Sequence, residues 1–400
     1  MNNIKSIGID CASCGACSVV CPKACISFGL DDNKGYYAVS VDENACIDCG
    51  KCKEVCPVIN SEAGSKHDSA LGDTINAYAT YSNNEEVRKY AASGGFITSF
   101  LCYMLNEGLA DGVLISKRDG VSGKSFIART EEEVINSKTS IYAPVDYSSG
   151  IKELVETECQ NVIVVGLPCQ IQSVSNLEVM NRRIREKVLL KISIICGKTP
   201  SVFAYKYIAE KGAFDFNTIS KVCNRGDGWP GFLKIDHSKG QFKVPYHSSL
   251  SMGMVLSSPY LCNRGCLSCV DGVGLTADFV VCDAWMKKYT SQESDGWNFV
   301  LTKTGRAENL MNSEAINKYI YREKEEVTSF FRANKRVIEK GILGNAMRLK
   351  EHRFQSIFDT LPVKYRMHVV LLQLTLKYFN PKHITKNQLI IGKIINKLKD

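Results

Sequence analysis

The sequence lacks any apolar run long enough to cross a membrane. Its longest apolar stretches, VIVV at 162–165 and VVLLQLTL at 369–376, fall short of the roughly 20 residues that a spanning helix needs. The first residues also lack the apolar core and cleavage pattern of a secretory signal. We therefore expect a soluble cytoplasmic protein, and the 400 residues predict two or three domains. An integral membrane protein, a secreted mini-protein and a disordered chain are excluded.

Most of the chain carries no excess of positive over negative charge. The formal net charge is +8, and the surplus of Lys and Arg lies in the last quarter of the sequence. A nucleic-acid-binding protein would carry a basic footprint on its main domain. We therefore expect no nucleic-acid partner and assign the basic character to one C-terminal segment.

Cysteine, in contrast, is abundant, with 18 residues. In a reducing compartment, cysteines are more often metal ligands or catalytic groups than disulfides. Two runs near the N-terminus share the spacing C-x2-C-x2-C-x3-C followed by Pro, which is the bacterial ferredoxin pattern. The runs consist of Cys11, Cys14, Cys17 and Cys21, and of Cys46, Cys49, Cys52 and Cys56.

In this pattern the fourth Cys of each run binds the 4Fe–4S cluster of the other run. The first cluster then uses Cys11, Cys14, Cys17 and Cys56, and the second uses Cys46, Cys49, Cys52 and Cys21. Zinc is the alternative, but zinc sites usually hold two separated C-x2-C pairs. Gly15 and Gly50 lie inside the two loops, where the backbone needs unusual dihedrals. Cys25 is expected to be a small buried apolar residue.

The sequence divides into four parts. Residues 1–62 form the predicted ferredoxin-like domain, with a hairpin within 26–45, and polar residues 63–75 form a linker. Residues 76–311 alternate predicted strands with helices, which indicates a larger mixed α/β domain. Residues 312–400 are predicted to be a basic helical segment.

Two turns of the central domain are candidate cofactor contacts. Ser93, Gly94 and Gly95 precede an apolar helix, and such a helix start offers backbone N–H groups to a phosphate. The alternative is an ordinary helix start with small residues for close packing. The second turn follows the predicted strand 162–165, at the kind of strand-to-helix switch where α/β proteins bind ligands. Its residues are Gly166, Leu167, Pro168, Cys169 and Gln170.

A second cysteine group contains Cys262, Cys266 and Cys269. Three thiols need a fourth partner to complete a cluster or a tetrahedral zinc site. Cys196, at a predicted strand end, is the first candidate, and Cys169 is the second. Cys223 and Cys282 are weaker candidates, and zinc remains the alternative to a third 4Fe–4S cluster.

The segment 226–231 matches G-x-G-x-x-G but is not a dinucleotide fingerprint. That fingerprint needs a preceding strand, a following helix and an acidic residue about 20 positions later. Here Pro230 follows the second Gly, and residues 232–244 alternate like a pair of strands. We therefore reject a Rossmann site at this position.

Several stretches together resemble the coenzyme F-420 hydrogenase/dehydrogenase beta-subunit family, in the form with a fused N-terminal ferredoxin domain. In family order, they are AASGGFITSFLCYMLNEGLADGVL (91–114), VIVVGLPCQIQSV (162–174), ISIICGKTPS (192–201), CNRGCLSCVD (262–271), FVVCDAW (279–285) and DGWNFVLTKTGRAENLM (295–311). The D-x-W segment at 283–285 and the stretch 295–306 resemble the bacterial polysaccharide-locus branch of the family. Cys282 stands where the family usually has Gly, and Thr139 stands where an aromatic residue is usual.

The resemblance implies an iron–sulfur flavoprotein oxidoreductase. Its central domain would bind FAD, exchange electrons with a hydride carrier such as coenzyme F-420, and pass them through 4Fe–4S clusters to a redox protein or sugar-modifying enzyme. Ser93, Gly94 and Gly95 would face the flavin pyrophosphate, and Gly166, Pro168, Cys169 and Gln170 match the family turn. Lys138 and Arg225 are candidate phosphate contacts. Cys196, Cys262, Cys266 and Cys269 would hold the third cluster. A non-catalytic ferredoxin-type carrier is the alternative.

The C-terminal segment ends in a basic amphipathic helix, predicted at 384–399. Such a helix can pack on its own domain, dock a partner or lie on an anionic membrane surface. We favour packing or partner docking, with peripheral contact at the inner membrane face as the second interpretation.

Overall fold

The computed structural model describes residues 2–60, 71–291, 295–339, 344, 363–377, 382 and 384–397. Most of the predicted linker therefore lies outside the described residues, as does part of the predicted C-terminal helical segment. No helix within these ranges is both long and apolar enough to span a bilayer.

The N-terminal part is a small α+β unit, as predicted. Its elements are strands β1 (Ile26–Asp31) and β2 (Tyr36–Val41) and the short helices α1 (Ala16–Val19) and α2 (Lys51–Glu54). β1 and β2 pair antiparallel with Ile26 opposite Val41, so the hairpin predicted within 26–45 is confirmed. The hairpin separates the two cysteine runs, and each run continues into one of the two short helices.

A nine-stranded mixed sheet forms the centre of the molecule, with strand order β14-β3-β13-β12-β8-β7-β4-β5-β6. The inner strands β12, β8, β7 and β4 run parallel, and antiparallel strands extend the sheet on both sides. The strands are β3 (Asn76–Ser82), β4 (Gly112–Asp119), β5 (Ser122–Ala128), β6 (Val145–Asp146), β7 (Val162–Gly166), β8 (Val188–Ile194), β12 (Phe279–Asp283), β13 (Asn298–Thr302) and β14 (Ile320–Glu325).

Helices cover this sheet because its inner strands are apolar on both faces; β7 and β13, for example, are buried along their whole length. The helices are α3 (Glu85–Tyr90), α4 (Phe96–Asn106), α5 (Glu131–Asn136), α6 (Ser148–Glu156), α7 (Pro168–Met180), α8 (Arg182–Lys187), α9 (Val202–Lys211), α10 (Lys287–Thr290), α11 (Gly305–Met311) and α12 (Val327–Ile338). The mixed α/β architecture predicted for the central region is confirmed.

A separate three-stranded antiparallel sheet contains β9 (Lys221–Cys223), β10 (Phe232–His237) and β11 (Gly240–Pro245). The segment 226–231 is a loop between β9 and β10, with a cis peptide bond before Pro230. A strand, not a helix, follows this loop. The rejection of a dinucleotide fingerprint here is therefore confirmed.

The C-terminal segment departs from the prediction at one place. Residues predicted to be helical form strand β14, which pairs antiparallel with β3. Glu and Lys along this stretch favoured a helix by propensity, but pairing with the exposed edge of β3 decides the local structure. Beyond it lie helices α13 (Val363–Lys377) and α14 (Lys386–Lys397), and α14 confirms the helix predicted at 384–399.

Candidate iron–sulfur and cofactor site

Each N-terminal cysteine run is built from a tight loop and one helical turn. Gly15 and Gly50 precede α1 and α2 with φ of 75° and 78°, in the left-handed region that favours glycine. At Gly15 a side chain would also collide with Ser148, because an added Cβ would lie 2.6 Å from the Cβ of that residue. The glycines thus turn the chain so that Cys17 and Cys52 enter the two short helices.

The first predicted set of cluster ligands comes together in the structure. Burial and the neighbouring thiolates of Cys56 and Cys11 raise the pKa of the Cys14 thiol to about 12. Burial also raises the pKa of Cys17, and the charges of Cys14, Cys11 and Cys56 raise it further. The last Cys of the second run therefore lies among the first three of the first run, which is the crosswise arrangement expected for a two-cluster ferredoxin.

The second predicted set lines one small pocket at the other end of this unit. The pocket wall includes Cys21, Cys46, Cys49 and Cys52. Cys25 is buried as predicted, but it also belongs to this wall, with its sulfur 3.4 Å from that of Cys21. The fourth Cys of the first run thus joins the first three of the second run.

The second cysteine group brings residues together from three parts of the central domain. Cys169 begins α7, Cys196 follows β8, and Cys266 and Cys269 lie in the loop before β12. Burial raises the pKa of Cys169, and the charges of Cys269, Cys196 and Cys266 raise it further. Cys169 therefore lies near Cys196, Cys266 and Cys269.

Cys262, predicted as a ligand with them, has a different environment. It is buried at 3% exposure, and its thiol donates a hydrogen bond to the carbonyl of Pro259. Burial raises the pKa of Tyr36, and the charges of Cys262 and Cys11 raise it further. No set of three or more Cys, His, Asp or Glu side chains in the described ranges is placed to bind a single metal ion.

The two cysteine regions meet at a buried tyrosine. Burial raises the pKa of Tyr147, and the charges of Cys169 and Cys14 raise it further. The hydroxyl of Tyr147 donates to the carbonyl of Val165 at 3.0 Å. Cys14 also contributes to the raised pKa of Cys169. One member of the first ferredoxin set is thus a near neighbour of the central group.

Direct contacts between the two regions make the same junction. The side-chain amide of Asn263 donates to the Ser13 hydroxyl at 2.7 Å, and an added Cβ on Gly265 would lie 2.2 Å from the carbonyl oxygen of Cys11. On the other side, Asn176 of α7 donates to the carbonyls of Val55 and Cys56. The N-terminal unit is therefore fitted closely onto the elements that carry the central cysteines.

A large cavity of about 710 Å³ lies beside the central cysteine group. It opens at the carboxyl ends of β7 and β8, where Gly166, Ile194 and Cys196 contribute to its wall, and this is the usual ligand position in α/β sheets. The predicted site residues that line it are Ser93, Gly95, Lys138, Gly166, Gln170 and Cys196. Gly94, Pro168, Cys169 and Arg225 are not part of the wall.

The Ser93–Gly95 turn has a clear packing role. Ser93 donates to the carbonyl of Trp297 at 2.7 Å, and a Cβ on Gly94 would lie 2.7 Å from the carbonyl oxygen of Thr80. The N–H of Phe96 is occupied by Asn298. The next two amides of α4 have no acceptor within the helix, and their residues, Ile97 and Thr98, line the cavity. Small residues allow close packing, while the helix start still faces the cavity.

Arg225 is a buried structural cation. It is 1% exposed and pairs bidentately with Asp283, at 3.0 Å and 3.3 Å, while its Nε donates to the carbonyl of Pro230. Asp283 raises the pKa of the guanidinium, against the effect of burial. Asp283 itself lines the cavity and also accepts a hydrogen bond from the indole of Trp229. Arg225 therefore reaches the cavity through Asp283 and through Tyr142, a wall residue whose hydroxyl accepts from its Nη1 at 3.1 Å.

Sequence reasoning missed several residues of the cavity wall. His247 and Trp285 contribute rings, and Arg336, Lys393 and Lys397 contribute cations. The D-x-W segment drew attention to Trp285 only through resemblance. The cations come from α12 and α14, and no local pattern shows where a C-terminal helix will pack.

The comparisons with known proteins agree with this arrangement. Residues 77–152 match the N-terminal part, and residues 159–328 the C-terminal part, of the coenzyme F420 hydrogenase/dehydrogenase beta subunit family. Residues 10–60 match a 4Fe-4S dicluster domain. The chain belongs to the coenzyme F420 hydrogenase/dehydrogenase beta subunit family. Its N-terminal dicluster domain confirms the iron–sulfur prediction, and the family confirms the prediction of an oxidoreductase.

Similar proteins in this family come from methanogenic archaea. An uncharacterised protein of Methanocaldococcus jannaschii is 26% identical over 344 residues, which is 78% of this chain and 88% of that one. The coenzyme F420-dependent sulfite reductase of the same organism is 25% identical over 329 residues, or 82% of this chain. The match spans 49% of the reductase, so the chain corresponds to about half of that enzyme.

A hydrogenase subunit extends the comparison to a solved structure. The coenzyme F420 hydrogenase beta subunit of Methanosarcina barkeri is 25% identical over 247 residues, 60% of this chain and 78% of the subunit. A chain of the F420-reducing [NiFe] hydrogenase complex from that organism superposes with a TM-score of 0.53 at 20% identity, covering 69% of this chain and 92% of that one. This likeness confirms the fold.

Proposed function

We propose that the chain is an iron–sulfur flavoprotein that moves electrons between a hydride carrier, at FAD in the large cavity, and 4Fe–4S clusters that lead to a protein partner. The observation that carries this proposal is one continuous arrangement. Cys196 lines the cavity, Cys196 and Cys169 belong to the central cysteine group, and Cys169 neighbours Cys14 of the dicluster domain.

The cavity suits a flavin dinucleotide in size and chemistry. Its volume of about 710 Å³ is in the upper part of the range for cofactor sites. The N–H groups of Ile97 and Thr98 and the ammonium of Lys138 would hold the pyrophosphate, since a helix start favours anions. Gly166 and Gln170 would contact the rest of the cofactor. When bound, the flavin supplies exchange between hydride transfer and single-electron transfer.

For the central cluster we propose the ligands Cys169, Cys196, Cys266 and Cys269. This set replaces Cys262 by Cys169, because the charges of Cys196, Cys266 and Cys269 raise the pKa of Cys169, whereas Cys262 lies beside Pro259 and Tyr36. Burial disfavours a free thiolate at Cys169. Iron would offset that cost, since metal ligation deprotonates a thiol.

The second ferredoxin pocket is the proposed exit toward a partner. Cys49 is exposed, and Ile47 beside it is 57% exposed, which places this cluster site at the protein surface. Several relatives are subunits of F420-dependent enzymes, which supports a redox protein as the partner. A sugar-modifying enzyme and a role in polysaccharide biosynthesis rest on the resemblance of residues 283–285 and 295–306 to one branch of the family and stay predictions, as does coenzyme F-420 as the carrier.

Anaerobic purification with counts of iron, sulfide and flavin tests the proposal. We expect about 12 irons and one FAD per chain, corresponding to three cubes. Reduction of the bound flavin and clusters by candidate hydride carriers is then followed by absorbance. About 8 irons without flavin would contradict the proposal and leave a ferredoxin-type electron carrier.

A further inference from the structure

The two C-terminal helices pack on the same tyrosine. The hydroxyl of Tyr260 donates to the hydroxyl of Thr375 on α13 at 2.7 Å, and an added Cβ on Gly392 of α14 would lie 2.7 Å from its ring. The helices also meet each other, since Nδ1 of His368 on α13 lies 2.7 Å from the carbonyl oxygen of Ile395 on α14. The helices α13 and α14 therefore form a pair that rests on one part of the chain, and the faces turned away from Tyr260 point outward.

On α14, the buried and exposed residues separate into two faces. Leu389, Gly392 and Ile395 are buried at steps of three residues, whereas Ile390 and Ile394, which are four residues apart, are exposed. A helix that packs on a domain normally turns polar side chains to water on its outer face. Packing on Tyr260 therefore explains the inner face of α14 and leaves its apolar outer face unexplained.

Helix α13 repeats this arrangement. Val369, Leu372 and Leu376 are buried, whereas Met367 and Leu374, about two helical turns apart, are each more than half exposed. Single exposed apolar residues are normal, but grouped ones mark an interaction surface. We call the outer surface of the helix pair the apolar face. Its exposed large apolar residues are Val363, Met367, Leu374, Ile390, Ile391 and Ile394.

The charge beside the apolar face has one sign. Residues 361–399 contain eight Lys and Arg and no Asp or Glu. Lys386, Lys393 and Lys397 are exposed and share one side of α14 with Ile390 and Ile394, because these positions recur at three- and four-residue steps. Lys393 and Lys397 also line the large cavity, so the apolar face borders that cavity. Cations and large apolar side chains thus point outward together.

We propose that the apolar face binds an anionic membrane surface. The isoleucines would enter the boundary between head groups and acyl chains, and the lysines would contact negatively charged head groups. A nucleic acid would match the cations but leave the apolar side chains in water. A second copy of the chain would cover the apolar side chains but bring like charges together. Both helices lie beyond the family match, which ends at residue 328, and the inference does not depend on the proposed electron transfer.

Flotation of the anaerobically purified holoprotein with liposomes tests the inference. Vesicles of phosphatidylglycerol and phosphatidylcholine in equal parts are compared with vesicles of phosphatidylcholine alone. We expect the wild type to float with the anionic vesicles, less so at high salt because salt screens the lysines, and to stay behind with the neutral vesicles. Flotation needs neither turnover nor bound flavin, so its result is separate from that of the flavin and iron counts.

Two variants and their matched controls separate the apolar and the charged contributions. Ile390→Ser/Ile394→Ser should bind the anionic vesicles about tenfold more weakly or worse, because apolar contact with the acyl chains is lost. Val179→Ser, an exposed apolar position on α7, should bind like the wild type. Lys386→Gln should weaken binding about fivefold, the contribution of one lysine near an anionic surface, and Lys152→Gln, an exposed lysine on α6, should not.

The inference is overturned if the wild type does not float with anionic vesicles, floats equally with both kinds, or floats as well when both isoleucines are replaced. Size-exclusion chromatography tests the second-copy alternative on the same proteins. A wild type that dimerises, with an isoleucine variant that is monomeric, would assign the apolar face to self-association and overturn the membrane proposal. Iron counts and thermal unfolding show whether each variant is folded, and the lipid comparison on the wild type is decisive without any variant.

Discussion

The two cysteine regions of this molecule are assembled in different ways. In the dicluster domain all eight predicted ligands come from two short runs, and each run needs only a loop, one glycine and one helical turn. In the central domain, four cysteines reach one place from the start of α7, the end of β8 and the loop before β12. The first region is defined by local spacing, and the second by the order of strands in a sheet.

This difference has a consequence for robustness. A local run keeps its geometry as long as its own loop is intact. An assembled site depends on every element that holds its members in place, because each ligand is positioned by a different part of the sheet. We therefore expect substitutions far from the sulfurs to disturb the central site more than the dicluster domain.

Replacement of a central cysteine has the largest expected effect. Cys169→Ser should lower the iron content from about 12 to about 8 per chain, because the central cluster would lose one of its four proposed thiolate ligands. Cys262→Ser is the control and should retain the full iron content. Iron and sulfide counts on anaerobically purified protein measure the cluster content of each variant. If iron is lost only from the Cys262 variant, the ligand set proposed from the structure is wrong.

The buried ion pair at the cavity comes next. Asp283→Asn leaves the Arg225 guanidinium buried without its carboxylate, and loss of such a partner costs about 3–5 kcal/mol of unfolding free energy. Glu186→Gln, which breaks the exposed pair with Arg182, should cost less than about 1 kcal/mol. Chemical denaturation measures both. Similar small losses in the two variants would show that Asp283 is dispensable for holding the cavity wall.

A smaller effect is expected at the junction of the two regions. Gly265→Ala places a methyl group 2.2 Å from the carbonyl oxygen of Cys11, so the backbone must shift. Overpacking of this kind typically costs about 1–3 kcal/mol. Electron transfer between the central and dicluster clusters should also slow, as rapid-mixing absorbance would detect. Gly305→Ala, where no atom lies within 4 Å of an added Cβ and φ is not positive, controls for the loss of a glycine.

The smallest expected effect concerns Lys303, which supports the loop that follows Cys269. Its ammonium donates to the carbonyl of Leu275 at 2.8 Å, and burial lowers its pKa from 10.5 to about 8. The unfolded chain then binds more protons between pH 8 and 10.5, so stability should rise with pH across this window, by an amount on the order of 1 kcal/mol. Lys303→Met should abolish this part of the pH dependence. An unchanged slope in the variant would assign the effect to another group.

The sequence predicted the dicluster domain in detail because its information is local. Identical spacing in two runs predicted eight ligands, and the structure brings these cysteines into the two expected groups. Alternation of apolar strands and helices also predicted the central α/β sheet. The exception, β14, lies at an edge, where pairing with β3 outweighs the helix propensity of a Glu- and Lys-rich stretch.

The rest of the candidate site depended on tertiary contacts that no spacing reveals. Cys169 and Cys196 were both candidates, but only the parallel pairing of β7 and β8 places them near each other. Arg225 was a candidate phosphate contact, but its guanidinium is buried and paired with Asp283. Lys393 and Lys397 line the cavity because helix α14 packs on the rest of the chain, where Leu389 and Ile395 are buried and Gly392 lies against Tyr260.

Strand β14 also covers one edge of the central sheet, through which copies of the chain could otherwise associate. Without it, β3 would present a row of free N–H and C=O groups that another chain could extend. β14 instead places alternating charges on that border, where Lys288 bridges Glu323 and Glu325, and at the opposite border β6 is only two residues long. Crowded molecules of this protein should therefore resist sheet-to-sheet aggregation, which leaves the cysteine-rich end available for productive encounters.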